Sequence, residues 1–199
     1  MFEYIREDLR RFHDIDYIRE DSHRLDIPSR YRYVEIMRVL WQNPALKALI
    51  AYRLGRWISV ALRSPPLWPA VLLTPAYWML TAYFRCAYDV YLEQSAEIGP
   101  GLYIGHFGGI RVQNCRLGAH CAIQQEVCIG PVSQGSDGPK IGSRVWIGAH
   151  STIAGRISVG DRATIAAGAK ITGDVKEGRL MLGNPSRVGQ QHYDNSAFL

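Results

Sequence analysis

The chain has 199 residues, 47% of them hydrophobic and 21% charged, enough apolar material for a buried core and too little charge for a disordered chain. Its formal charge of +5 comes without a basic run or an aromatic-interleaved patch, which argues against nucleic acid and makes an anionic ligand the sharper expectation. The four cysteines, 86, 115, 121 and 128, form no CxxC pair, so a zinc ribbon or a thioredoxin-type redox site has no support and reduced cytoplasmic thiols are expected.

The start, MFEYIREDLRR, alternates charges with single apolar residues and is not expected to act as a secretory signal. Phe2, Ile5, Leu9, Phe12, Ile15 and Ile18 recur at three- or four-residue steps, which predicts a surface helix that docks through one stripe. Asn43-Pro44 predicts the start of another helix, with asparagine as cap and proline in the first turn, whose inner face carries Leu46, Leu49, Ile50, Trp57 and Ile58. Residues 64–84 then run for 21 positions without a charge, long enough in principle to cross a bilayer. Prolines at 65, 66, 69 and 75 argue against one straight span. The main expectation for 64–84 is a buried helix at a subunit contact, with peripheral membrane contact as the alternative. Residues 1–97 thus form an α-helical region for oligomerisation or membrane proximity.

Of the 19 glycines, 18 lie at or after Gly99, whereas 16 of the 21 aromatic residues lie in 1–97. The formal charge is +1 over 1–97 (13 basic, 12 acidic) and +4 over 98–199 (10 basic, 6 acidic). The glycine-rich half repeats every six residues, with aliphatics at Ile98, Ile104, Ile110, Leu117, Ile123, Ile129, Ile141, Ile147, Ile153, Val159, Ile165 and Ile171. A helix at 100° per residue would carry these positions right round its surface, whereas short strands joined by tight corners keep them inward. Three hexads per triangular coil would stack residues 18 apart. The expected columns are Ile104, Ile123, Ile141 and Val159; Ile110, Ile129, Ile147 and Ile165; and Ile98, Leu117, Ile153 and Ile171, with Gly135 where an aliphatic is missing. A loop rich in turn formers, 131–140, should bulge from the coil there.

The run of hexads, with IGPGLYIGHFGGIRV (98–112), VWIGAHSTI (145–153) and GNPSRV (183–188), resembles the hexapeptide-repeat acyltransferases, nearest to serine acetyltransferase-like proteins and polysaccharide O-acetyltransferases. The resemblance implies an all-β left-handed parallel β-helix over 98–188 after the α-helical N-terminal region, with 189–199 as a polar tail. It also implies acetyl-CoA as co-substrate, no metal, and sites closed between subunits of a homotrimer, with a dimer of trimers as the larger option.

Among the six histidines, His13, His23 and His192 fall in charged or polar segments, and His120 lacks a glycine-rich flank. His106 lies between Gly105 and Phe107-Gly108-Gly109, where missing side chains let a ligand approach the backbone. In the family it resembles, this histidine is the general base that takes the proton of the attacking hydroxyl, chemistry suited to a neutral imidazole. The carboxylate that orients it would fall at Tyr91, and of the flanking acids Asp89 and Glu93 the expectation favours Glu93. Gly148, Ala149, Ala167 and Gly168 are expected to line the pantetheine arm on adjacent coils. By resemblance Trp146 lies beside the thioester, Arg187 near the nucleotide phosphates, and Lys170 at a further phosphate contact.

Gly138 stands where the serine enzymes carry a histidine before PKI, and Gly105 where they carry an aspartate. These departures make a sugar hydroxyl in polysaccharide biosynthesis the favoured acceptor, reached in the cytoplasm or at the inner face of the membrane, with L-serine as the alternative. A non-catalytic β-helix scaffold is a further alternative. A zinc hydratase would need two histidines five residues apart, which His106, His120 and His150 do not provide.

Overall fold

The computed structural model describes residues 1, 3–11, 41, 43–63, 68–133 and 135–199. The expected stripe residues Phe2, Phe12, Ile15 and Ile18, and the histidines His13 and His23, lie outside the described residues, as does the start of the uncharged stretch at 64–67. Residues 3–11 are helical (α1). Helix α2 runs Pro44–Ala61, with Pro44 in its first turn and Asn43 extended before it, but Asn43 makes no side-chain cap bond. Helix α3 runs Trp68–Tyr88 and contains Pro75.

Fifteen short strands then wind into a prism of about five turns, with its walls made by three sheets. Face A stacks β1 (Val90–Leu92), β4 (Ile110–Val112), β7 (Cys128–Gly130), β10 (Thr152–Ala154) and β13 (Lys170–Ile171). Face B stacks β2 (Glu97–Ile98), β5 (Arg116–Leu117), β8 (Lys140–Ile141) and β11 (Ser158–Val159). Face C stacks β3 (Tyr103–Ile104), β6 (Ala122–Ile123), β9 (Trp146–Ile147), β12 (Thr164–Ile165) and β14 (Leu180–Leu182), and β15 (Arg187–Gln190) closes it. All pairings are parallel except β14 with β15.

The columns differ from the expected ones in two ways. Ile98 and Leu117 stack on Ile141 and Val159, Ile104 and Ile123 on Ile147 and Ile165, and Val112 and Ile129 on Ile153 and Ile171. From Leu117 to Ile141 is 24 residues, against 18 from Ile141 to Val159. The segment near Gly135 is therefore an insertion at one corner, and every column expected to pass it shifts by one face. Val112, not Ile110, carries the face A column, because the register of β4 on β7 sets Val112 against Ile129. The stacked aliphatics are fully or almost fully buried, and the coil gains its stability from these columns and from the ladders between successive turns.

The helices reach the first turn of the prism through buried polar groups. The Asp8 carboxylate accepts from the Arg53 guanidinium at 3.0 Å and from the Gly101 and Leu102 amides at 2.7 and 3.2 Å. Arg53 also donates to the carbonyls of Ile98 and Gly99, and Arg11 to that of Gly101. Tyr52 donates to the Ala96 carbonyl at 2.6 Å. Burial pushes the Asp8 carboxyl up, and the Arg53 charge and the two amides only partly offset this. Gly55, the one early glycine, faces the Tyr77 ring of α3, which occupies the space a side chain there would need.

The chain end is more than a polar tail. It begins within β15 and runs back along the prism: Tyr193 donates to the Gly178 carbonyl, Asn195 to Arg162 and Arg144, and Arg11 to the terminal Leu199. Phe198 meets Trp146 with ring centroids 5.3 Å apart.

Candidate active site

The prism has three edges, and the functional candidates sort by edge. The corner from face C to face A holds His106, between β3 and β4. The next turns of that edge hold Gln124, Gln125 and Glu126, then Gly148, Ala149 and His150, then Ala166, Ala167 and Gly168. Backbone bonds tie these corners together, from Glu126 to Gly108, from His150 to Gln125 and from Gly168 to Ala149, at 2.8 to 3.0 Å. His106 and the small-residue steps expected to hold a pantetheine arm therefore share one line.

Close approach explains the small residues. A side chain at Gly148 would meet the Ala167 nitrogen at 2.6 Å, so the two steps pack backbone to backbone as their spacing implies. Gly168, at φ +71, has nothing within 4 Å of where a side chain would start. The edge there is an open shelf at Ala167 and Gly168, with the Ala166 and Gly168 amides already bonded to neighbouring turns. Lys170 begins β13 directly after that shelf and is exposed. Trp146 begins β9 on face C, two residues before Gly148, and is half-buried with the Phe198 ring against it. Arg187 opens β15 and is exposed.

Glu93 does not share the edge. It follows β1, and its amide donates to Val112 at the far end of face A from His106. Strands β1 and β4 run parallel, so the length of β1, roughly 10 Å at 3.3 Å per residue, separates it from the histidine's corner. The acid at the near end is Asp89, whose carbonyl accepts from the Ile110 amide and whose φ is +47. Glu93 instead lies near Cys115, whose thiol is pushed up to about 12 by burial and then by that carboxylate. His120 lies on the edge between faces B and C, 3.8 Å from Glu7.

One pair on the His106 edge has no counterpart in the sequence reading. His150 Nδ1 lies 3.0 Å from a Glu126 carboxylate oxygen. Both adopt positive φ, +59 and +55, a conformation that disfavours L side chains by roughly 1–2 kcal/mol. Acid and imidazole thus stand exposed on consecutive turns, Glu126 on the turn after His106 and His150 at the corner where the small-residue shelf begins. A cleft of about 610 Å³ elsewhere, lined by Tyr52, Arg53, Arg56 and Arg116, opens between the helices and face B and includes none of these residues.

The same architecture occurs in proteins of known structure. The bacterial transferase hexapeptide (six repeats) family matches residues 138–173. The serine acetyltransferase of Synechococcus elongatus is 26% identical over 155 residues, covering 76% of this chain and 59% of its own length. A Helicobacter pylori serine acetyltransferase is 27% identical over 156 residues, covering 75% of this chain and 84% of its own. The chain spans about three-fifths of the length of the Synechococcus protein. Among solved structures, Neisseria gonorrhoeae serine acetyltransferase superposes with a TM-score of 0.74 at 22% identity, over 98% of this chain and 67% of that one. A serine acetyltransferase solved in complex with CoA gives 0.68 at 23% identity, over 94% and 68%. The fold is the left-handed parallel β-helix of hexapeptide repeats behind a helical N-terminal region. Residues 138–173 thus match the hexapeptide-repeat family, and most of the chain is similar in sequence and fold to serine acetyltransferases.

Proposed function

We propose that the chain is an acetyl-CoA-dependent O-acetyltransferase whose acceptor is the hydroxyl of L-serine. The observation that carries this reading is the single prism edge on which His106 and the open Gly148–Gly168 shelf lie in line. A thioester arm laid along the shelf would bring its reactive carbonyl toward the histidine, with Lys170 available to a phosphate. Similarity to serine acetyltransferases in sequence and in coil supports L-serine over the sugar hydroxyl expected from sequence.

In this reaction His106 accepts the proton as the acceptor oxygen bonds to the thioester carbon. The carbon–sulfur bond then breaks, and the proton passes to the leaving thiolate. Positioned general-base catalysis of this kind contributes typically ~10²–10⁴-fold. Asp89, at the same corner, is better placed than Glu93 to orient the imidazole. Similarity supports coenzyme A as the donor.

A sugar hydroxyl is the second reading, and Gly138 favours it. The Asn114 carbonyl fills the space a side chain at 138 would need, so this backbone leaves no room for the histidine of the serine enzymes. The discriminating experiment is transfer from labelled acetyl-CoA to L-serine and to a panel of sugars. O-acetylserine as the main product sustains the first reading. Labelled sugar with no labelled serine replaces it with the second, and no product with any hydroxyl acceptor removes both.

A further inference from the structure

Among its described side chains, helix α3 buries Tyr77 and Phe84, seven residues apart on one side of the helix. The opposite face is apolar and open: Leu72 is 70% exposed, Met79 73% and Trp78 67%, with Val71 and Tyr83 beside them. No charged residue interrupts this face, and a continuous patch of that kind on a water-facing helix marks an interaction site. The helix is not long and apolar enough to cross a membrane.

The charge carried by the two helices points to one kind of partner. From Pro44 to Tyr88 the chain carries Lys47, Arg53, Arg56, Arg63 and Arg85, and no aspartate or glutamate stands between Glu35 and Asp89. Arg53 is consumed in the buried clamp with Asp8. Arg63 and Arg85 are exposed, and Arg85 lies seven residues beyond Trp78 on the same flank of α3, its guanidinium 5.3 Å from the Tyr91 ring centroid. An apolar strip with tryptophan and tyrosine on its border and cations on its shoulders is the composition that settles at the interface of an anionic bilayer. A second copy of the chain fits less well, because a two-fold contact through this face would set the same arginines against each other. We propose that the outer face of α3 lies in the headgroup layer of an anionic membrane, with Leu72, Met79 and Trp78 entering the acyl boundary and Arg63 and Arg85 held by phosphates. This goes beyond the acetyl-transfer reading and does not depend on it.

The test is co-sedimentation of the full chain with vesicles of phosphatidylcholine alone and with vesicles one-third phosphatidylglycerol, alongside its mass in solution. The proposal expects binding to the anionic vesicles that falls at least about tenfold on phosphatidylcholine alone, with Leu72→Glu/Met79→Glu, or with Arg63→Glu/Arg85→Glu. All four sites are exposed, and circular dichroism with a thermal melt identifies any variant that fails to fold. Wild-type binding no stronger than that of a folded Leu72→Glu/Met79→Glu variant overturns the proposal. So does an oligomer in solution that this variant dissociates while neither protein binds vesicles, which would assign the face to a second copy. Acetyl transfer to a soluble acceptor is a separate readout, so failure of one reading leaves the other standing.

Discussion

Face C buries Ile104, Ile123, Ile147 and Ile165 in one column, whereas α1 and α2 join the same prism through Asp8, Arg11 and Arg53. The two regions are held by different physics. In the coil each turn repeats the contact made by the turn before it, so stability is distributed over the aliphatic columns. At the helix junction the first turn presents carbonyls and amides with no turn beneath them, and a few buried charges satisfy them. The comparison teaches that the coil spreads its stability over repeated apolar contacts while its cap concentrates it in a few buried polar groups.

The sharpest way to break that comparison is Asp8→Ala. It leaves Arg53 buried without its carboxylate, and loss of one partner from a buried pair costs about 3–5 kcal/mol. A denaturant melt should show that loss, with Asp8→Asn milder. A change under about 1 kcal/mol would mean that the junction is held by its apolar contacts instead. A smaller effect sharpens the comparison through the thiols. Cys86 on α3 and Cys128 on face A are exposed, while Cys115 and Cys121 are buried in the coil. Burial pushes their thiols up to about 12 and about 11, so at pH 8 they remain protonated and unreactive. Two of the four thiols should react quickly with an aromatic disulfide reagent in the native state and all four after unfolding. Fast reaction of all four would mean that the coil opens far more readily than its columns imply.

The hexad positions were legible because a strand period survives any local variation in residue type. The register across 131–140 was not. Counting Ile129 to Ile141 as two hexads assumes that every residue lies in a wall, whereas the loop stands outside one corner. That same miscount hides the Glu126–His150 pair: 24 residues apart, they share an edge only once the insertion is recognised. The choice between Asp89 and Glu93 was illegible for another reason. Both flank Tyr91 at equal spacing, and only the parallel pairing of β1 with β4 decides which end of the strand faces His106. The Asp8 clamp joins residues 45 apart with no periodic signal, and Arg53 reads as an ordinary surface arginine until the first turn is built.

The central claim is that one prism edge performs acetyl transfer with His106 as its base, and His106→Ala tests it most directly. Turnover of acetyl-CoA with the acceptor found in the transfer screen should fall by ~10²–10⁴-fold, while coenzyme A binding by calorimetry and the thermal melt stay at wild-type values, since the histidine is exposed. Turnover within about threefold of wild type in a folded, coenzyme-binding variant would contradict the account, because a positioned general base contributes far more than that.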